Sequence, residues 1–74
     1  MDIRIINKNN EIMNISQLSI MTMDNYIVGM NDKMEIIKIE KYGDKEEAKD
    51  RLIALGNAIE IASEKDLKAI IIRT

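Results

Sequence analysis

Seventy-four residues are enough for one domain, residues 1–74, and the chain has neither cysteine nor histidine, which excludes disulfides, zinc sites and histidine-based catalysis. Its formal net charge of −2 and its two aromatic residues exclude the clustered positive charge and the stacking platforms on which nucleic-acid binding depends. No apolar run is long enough for a membrane span and the first residues lack a signal-peptide pattern, so we expect a cytoplasmic protein without a cofactor.

Five short β-strands are predicted in the first part of the chain, because short apolar runs alternate there with turn-forming residues. The runs cover residues 3–6, 11–15, 18–23, 26–30 and 34–41. Turns are predicted at residues 7–10, 24–25 and 31–33, since asparagine and aspartate tolerate left-handed backbone angles. Strands joined by such short turns form antiparallel hairpins.

An amphipathic helix follows, with Asp44 as its N-cap and Glu47 three residues later, as in a capping box. The predicted core stripe recurs at helical spacing and consists of Ala48, Leu52, Leu55, Ile59 and Ala62. Gly56 lies beside this stripe, and we interpret it as a point of close backbone approach. Residues 63–66 end the helix.

A final strand is predicted over residues 67–74, where Ile70, Ile71 and Ile72 are consecutive. A strand that is apolar on both faces is typical of a central position or of cover on both sides. Because one helix can pack on only one face of a sheet, we expect something else to cover part of the opposite face. The predicted fold class is α+β: antiparallel β-hairpins of about five short strands, one amphipathic helix packed on the sheet, and a final β-strand.

No catalytic or metal-binding constellation is recognisable in the sequence. Ser16, Ser19 and Ser63 have no histidine to act as a base. Four acidic residues lie close together at the helix start: Asp44, Glu46, Glu47 and Asp50. They are interleaved with basic residues and lack the glycine and ligand spacing of a calcium loop, so we interpret them as complementing the helix dipole. We therefore predict no enzyme activity, no catalytic residue and no metal site.

The side of the helix opposite the core stripe carries Ile53, Asn57 and Ile61 at four-residue spacing. Ile53 and Ile61 are either single exposed apolar side chains, which are common, or part of a contact surface. In the second case Asn57, between them, could pair with its counterpart in a second copy of the chain. We predict a homodimer or higher homo-oligomer in which Ile53, Asn57 and Ile61, or the outer face of the last strand, form the interface.

Four methionines fall together across a predicted hairpin: Met21, Met23, Met30 and Met34. They either fill a core that lacks large aromatic side chains or form an adaptable surface for a partner. Both interpretations remain open from the sequence.

The stretch from residue 36 to residue 48 resembles a segment of small uncharacterised proteins encoded by phages and prophages of Gram-positive bacteria. The residues that carry the resemblance are Ile39, Tyr42, Asp44, Glu46, Ala48 and Leu52. The resemblance covers about half the chain, and the strand after the helix departs from the pattern. It implies a small accessory protein that acts by binding, on host machinery or on a defence system, and it transfers no functional residue.

Two functions follow as hypotheses from different classes. The first is a non-enzymatic interaction protein that self-associates and binds a protein partner from the host. The second is a protein that binds a small molecule or a nucleotide signal in a pocket between subunits, using backbone amides and scattered Lys or Arg side chains. A small ligand retained in native mass spectrometry would favour the second hypothesis.

Overall fold

A computed structural model of the chain describes all residues from Met1 to Thr74. Its elements are β1 (Asp2–Ile6), β2 (Ile12–Asn14), β3 (Ser19–Met23), β4 (Tyr26–Met30), β5 (Ile36–Lys41), α1 (Lys45–Glu64) and β6 (Ala69–Arg73). The predicted fold class is confirmed: the chain is α+β, with short strands before one helix and a final strand after it. The strands form two three-stranded sheets rather than one, in the orders β2-β1-β6 and β3-β4-β5.

The first sheet is built on the hairpin of β1 and β2, which pair antiparallel with Ile5 opposite Met13. The predicted turn at residues 7–10 joins them. Asn7 is buried, and its side-chain oxygen accepts hydrogen bonds from the backbone N–H groups of Asn9 and Glu11, both at 3.0 Å. The turn residue Asn10 has a φ of 61°, which is the left-handed conformation that asparagine tolerates and on which the predicted turn was based.

The last strand lies at the edge of this sheet, where the sequence predicted a central strand or one covered on both sides. β6 pairs only with β1, in parallel, with Ile3 opposite Ile70 and Ile5 opposite Ile72. Ile70 and Ile72 are half-buried, whereas Ile71 points outward and is 64% exposed. The central position was wrong because three consecutive isoleucines fix the two faces of a strand but not its neighbours, whereas cover of the outer face by a second copy stays a prediction.

The second sheet is a meander of β3, β4 and β5, with antiparallel pairing throughout. The predicted turn at Asp24 and Asn25 joins β3 to β4, with Asp24 at a φ of 55°. Met34 was predicted to belong to the fifth strand, but it lies in the preceding turn at a φ of 64°, and β5 begins at Ile36. Its apolar side chain is therefore exposed and takes no part in the strand pattern.

A β-bulge in β5 directs Ile39 into the core. Ile27 pairs with Glu40 and Val28 pairs with Lys38, so Ile39 is the extra residue between them. Both Ile27 and Ile39 are buried. The bulge therefore adds one inward side chain to a strand whose preceding residues are exposed.

Both ends of the helix α1 are capped by hydrogen bonds. The backbone N–H of Glu47 donates to the Asp44 side chain at 2.8 Å, which confirms the predicted N-cap. The Glu47 carboxylate accepts from the Gly43 N–H at 3.3 Å, one residue before the usual partner in a capping box. At the other end Asp66, with a φ of 56°, closes a Schellman motif in which the Leu67 N–H donates to the Ala62 carbonyl.

The predicted core stripe of α1 faces the sheets: Ala48, Leu55 and Ala62 are buried, and Leu52 and Ile59 are partly buried against the core. The interpretation of Gly56 was wrong, because a Cβ at this position would meet no atom within 4 Å. Gly56 faces open space rather than a neighbouring backbone. The helix also lacks the apolar length that a bilayer crossing would require.

One core joins the two sheets and the helix. Its buried members are Ile5, Ile15, Ile27, Ile39, Tyr42, Ala48 and Leu55. Ile5 comes from the first sheet and Ile27 and Ile39 come from the second, so the inner faces of the sheets meet each other as well as the helix. The additional cover expected for the sheet is therefore supplied partly by the other sheet.

Candidate functional site

The outer face of α1 carries the three residues predicted as an interface. Ile53 and Ile61 are 56% and 52% exposed, and Asn57 between them is also exposed. Their four-residue spacing places them in one row along the helix, away from the buried stripe. The structure thus brings Ile53, Asn57 and Ile61 onto one open surface, which we call the helix row.

A second apolar surface lies on the outer face of the β3-β4-β5 sheet. The register pairs Met21 with Val28, Met23 with Tyr26, and Met30 with Ile36. Residues paired across strands share a face, so these six form one surface, which we call the methionine face. Val28 is 1% exposed although it lies outside the main core cluster, because its neighbours on this face cover it.

Lysines border the methionine face around Tyr26. The Nζ of Lys38 lies 4.8 Å from the centre of the Tyr26 ring and the Nζ of Lys41 lies 6.0 Å from it, within the range of cation–π attraction. A groove of about 220 Å³ runs between Met23, Tyr26, Val28, Ile36 and Lys38, next to Asp24. The methionine face is therefore an apolar surface with a mainly cationic border.

A cavity of about 80 Å³ opens between α1, β6 and the strands beneath them. Its apolar wall consists of Ile5, Ile27, Ile39, Ala54, Leu55 and Ile72. Four polar residues complete the lining: Tyr42, Arg51, Arg73 and Thr74. An apolar cavity with a few convergent polar groups is the usual form of a small-ligand site.

Tyr42 is the buried polar group of this cavity. The residue is 3% exposed, its ring lies 4.5 Å from the Nζ of Lys8, and its hydroxyl has no hydrogen-bond partner within the protein. Burial, followed by the carboxylate of Glu40, raises the pKa of the Tyr42 phenol above its usual range, and the positive charge of Arg51 and the neighbouring Thr74 hydroxyl oppose this shift. The phenol is therefore protonated at neutral pH.

The polar groups around Tyr42 also make hydrogen bonds with other parts of the chain. One oxygen of Glu40 accepts from the backbone N–H of Lys8 at 2.7 Å and lies 3.3 Å from the Thr74 hydroxyl, and its other oxygen accepts from the Lys41 N–H at 3.2 Å. The Thr74 hydroxyl also lies 3.3 Å from the carbonyl of Ile6. These contacts fix the end of the chain beside Tyr42.

Arg51 from α1 and Arg73 from β6 contribute to the cavity lining, and both residues are exposed. The ion pair of the structure joins Arg4 to Asp2 at 3.2 Å, and neither Arg51 nor Arg73 has a carboxylate within salt-bridge distance. Arg73 alternates with the inward Ile72 along β6, so its side chain points outward with Ile71.

Sequence reasoning found the helix row but missed the cavity. Helical spacing alone reveals the row, whereas Arg73 joins Tyr42 and Arg51 in one cavity lining only because β6 returns to the edge beside β1. The sequence feature that could have indicated the cavity is an arginine next to each of two apolar segments. Arg51 precedes Leu52 of the core stripe, and Arg73 follows the three isoleucines of the last strand.

The serine and acidic residues have structural surroundings. The Ser16 hydroxyl accepts a hydrogen bond from the Ile3 N–H at 2.8 Å, and Ser19 and Ser63 are exposed. Asp44 caps the helix, and no three acidic side chains converge as metal ligands would. Comparison with known protein families, with curated proteins and with solved structures finds no match to this chain.

Proposed function

We propose that this chain is a small, non-enzymatic interaction protein that self-associates and binds a protein partner, in the setting of a phage accessory or anti-defence function. The observation that carries the proposal is the helix row, in which Ile53 and Ile61 are both more than half exposed on the face opposite a complete core stripe. Burial of apolar surface contributes about 25 cal/mol per Å² and favours association of such a face.

The helix row suits contact between two copies of the chain. In a closed dimer the same patch faces itself across a two-fold axis, so Asn57 of one copy can meet Asn57 of the other between the flanking isoleucines. A single buried asparagine pair fixes register in this way in helical interfaces. A stable interface buries about 800 Å² on each partner, roughly 15% of the 5227 Å² surface of this chain.

The methionine face suits a partner of different composition. Methionine side chains are flexible and adapt to irregular apolar surfaces, and Lys38 and Lys41 stand beside them. The complementary partner is a protein segment with apolar side chains flanked by acidic residues, because opposite charge at the border favours encounter. The resemblance to phage and prophage proteins supports a partner from the bacterial host.

Sedimentation velocity on a charge-introducing variant tests the self-association. Ile53→Glu combined with Ile61→Glu places two carboxylates in the helix row and should give a monomer with an unchanged circular dichroism spectrum. The matched control is Ser63→Glu combined with Gln17→Glu, which adds the same charge at two other exposed positions and should sediment like the wild type. An oligomer that persists in the first variant would contradict the assignment of the interface.

A further inference from the structure

We infer that the free edge of β6 binds an extended polypeptide segment of a partner protein, which pairs antiparallel with residues 69–73 and carries an acidic residue at each end of a short apolar run. The inference stands on backbone groups without partners, on an edge that lacks the usual protection, and on the charge at its two ends. This edge is separate from the helix row and the methionine face, and the inference does not depend on either surface.

Alternate residues of β6 direct their backbone groups away from β1. The Lys68 carbonyl accepts from the Asp2 N–H at 2.9 Å, and the Thr74 N–H donates to the Ile6 carbonyl at 3.0 Å. Backbone groups alternate sides along a strand, so the even-numbered residues bond to β1 and the odd-numbered ones face the other way. β6 has no second strand neighbour. The N–H and C=O groups that remain free for an added strand belong to Ala69, Ile71 and Arg73.

β6 lacks the features that usually prevent an edge strand from pairing. Edge strands are normally protected by proline, by charged residues in mid-strand, by a bulge or by a very short length. β5, at the edge of the other sheet, has a bulge at Ile39 and carries Lys38 in mid-strand. β6 pairs with β1 in continuous register, contains no proline, and has three isoleucines at its centre. The edge is therefore open to any strand that supplies matching backbone groups.

Side-chain alternation gives the added segment one apolar face. Ile70 and Ile72 point inward, yet both are only half-buried, because no strand lies on their free flank. Ile72 also lines the cavity beneath α1, together with Ala54. Apolar residues opposite Ile70 and Ile72 would extend this inner surface, whereas a residue opposite Ile71 would lie on the outer face.

Charge favours a partner segment over a second copy of β6. The stretch from Lys68 to Arg73 has a basic residue at each end and no acidic residue, and Arg73 makes no salt bridge within the chain. Two copies of β6 paired antiparallel about Ile71 would bring Arg73 of each copy beside Lys68 of the other. Like charges that close oppose pairing, whereas a segment with acidic ends complements both basic residues.

Two-dimensional amide NMR during titration with a synthetic peptide tests the inference. The peptide Ser-Glu-Val-Thr-Ile-Thr-Glu-Ser, with blocked ends, places its first glutamate opposite Arg73 and its second opposite Lys68. We expect saturable shifts along β6 and a dissociation constant of about 0.1–1 mM, as for a short, weakly held segment. In the free protein the Ile71 amide should exchange its hydrogen rapidly, and the bound peptide should slow this exchange several-fold.

Two control peptides separate the backbone contribution from the charge. A peptide with lysine in place of both glutamates should bind about tenfold more weakly, because its ends repel the basic residues of the edge. A peptide with N-methyl groups on its two threonines cannot donate to the free carbonyls of β6 and should show no measurable binding.

Substitutions in β6 locate the binding. Ile71→Pro removes an N–H that points away from β1, so the sheet should stay intact while the glutamate peptide binds at least about tenfold more weakly. Ile71→Thr is the matched control, since it keeps the N–H and should bind like the wild type. Arg73→Glu leaves one basic and one acidic residue at the ends of the edge, and should remove the preference for the glutamate peptide over the lysine peptide.

Each opposite result overturns the inference. No saturable shift along β6 would exclude the site. Slow exchange of the Ile71 amide without peptide would show that a second copy already pairs with this edge. Equal binding of the lysine peptide by the wild type would exclude the charge match. Equal binding of the N-methylated peptide, or unchanged affinity in Ile71→Pro with a native amide spectrum, would exclude strand addition.

Discussion

Asn7 and Asn31 organise two turns of the same construction. Each side-chain oxygen accepts two backbone N–H groups, two and four residues later, and each side-chain amide donates to the glutamate four residues later, Glu11 in one turn and Glu35 in the other. In both turns the residue before that glutamate is left-handed: Asn10 at 61° and Met34 at 64°. The two turns differ in that asparagine suits this conformation and methionine does not.

Replacing Met34 by asparagine should stabilise the protein. The left-handed conformation disfavours ordinary L-residues by about 1–2 kcal/mol, and asparagine relieves part of this strain. Met34 is exposed, so the substitution removes little packing. We expect the free energy of unfolding in urea to rise by about 0.5–1 kcal/mol. Asn10→Met should lower it by a similar amount, and a stabilising effect of Asn10→Met would contradict the equivalence of the two turns.

Removing the helix N-cap should destabilise the domain. Asp44→Ala deletes the acceptor for the Glu47 N–H and should cost about 1 kcal/mol. Asp44→Asn keeps an acceptor at the same place and is the matched control, with a much smaller expected loss. Thermal and urea melts of the two variants measure the difference. Equal melting of Asp44→Ala and wild type would show that the cap contributes nothing to the native state.

The two glycines in regular structure should respond to alanine in opposite directions. Gly56 lies in α1 with open space around its Cα, so Gly56→Ala should stabilise by about 0.5–1 kcal/mol through helix propensity. A Cβ at Gly29 would lie 2.7 Å from the Leu18 Cδ1 and 3.3 Å from its Cβ. Gly29→Ala should therefore destabilise by about 1–3 kcal/mol, as overpacking does. Urea denaturation of both variants checks the contrast, and a stable Gly29→Ala protein would mean that Leu18 yields easily.

Stability should fall at alkaline pH through Tyr42. Burial, and then Glu40, raise the pKa of this phenol in the folded protein above the value of about 10 in the unfolded chain. The native state thus holds the phenol proton more tightly than the unfolded chain does. The resulting contribution to the free energy of unfolding is complete below about pH 10 and is lost as the pH rises through the pKa of Tyr42 in the folded protein.

Tyr42→Phe removes this contribution, so the variant should lose less stability than the wild type between about pH 9 and about pH 11. Tyr26→Phe is the control and should retain the alkaline loss, because this variant keeps Tyr42. Urea melts at a series of pH values measure the loss in each protein. Parallel pH profiles for Tyr42→Phe and wild type would contradict the assignment to Tyr42.

Local chemistry made most of the fold predictable from the sequence. The strand from Tyr26 to Met30, the turn at Asp24 and Asn25 and the cap at Asp44 each depend on a few neighbouring residues, and all were confirmed. The helix row was predictable for the same reason, since helical spacing fixes the face on which Ile53 and Ile61 lie.

Features that depend on distant residues were not predictable. The edge position of β6 follows from its parallel pairing with β1, which three isoleucines cannot specify. The division into two sheets, the bulge at Ile39 and the cavity that Tyr42 lines arise from the same long-range arrangement. Local reasoning also failed at Gly56. A glycine beside the core stripe suggested a close backbone contact, but Gly56 faces open space.

Self-association is the central claim, and the mass of the native protein in solution tests it most directly. Size-exclusion chromatography coupled to light scattering, run from micromolar concentrations upward, should give at least twice the chain mass of 8.5 kDa, because the helix row provides an apolar face for a second copy. A mass of 8.5 kDa at every concentration would contradict the claim.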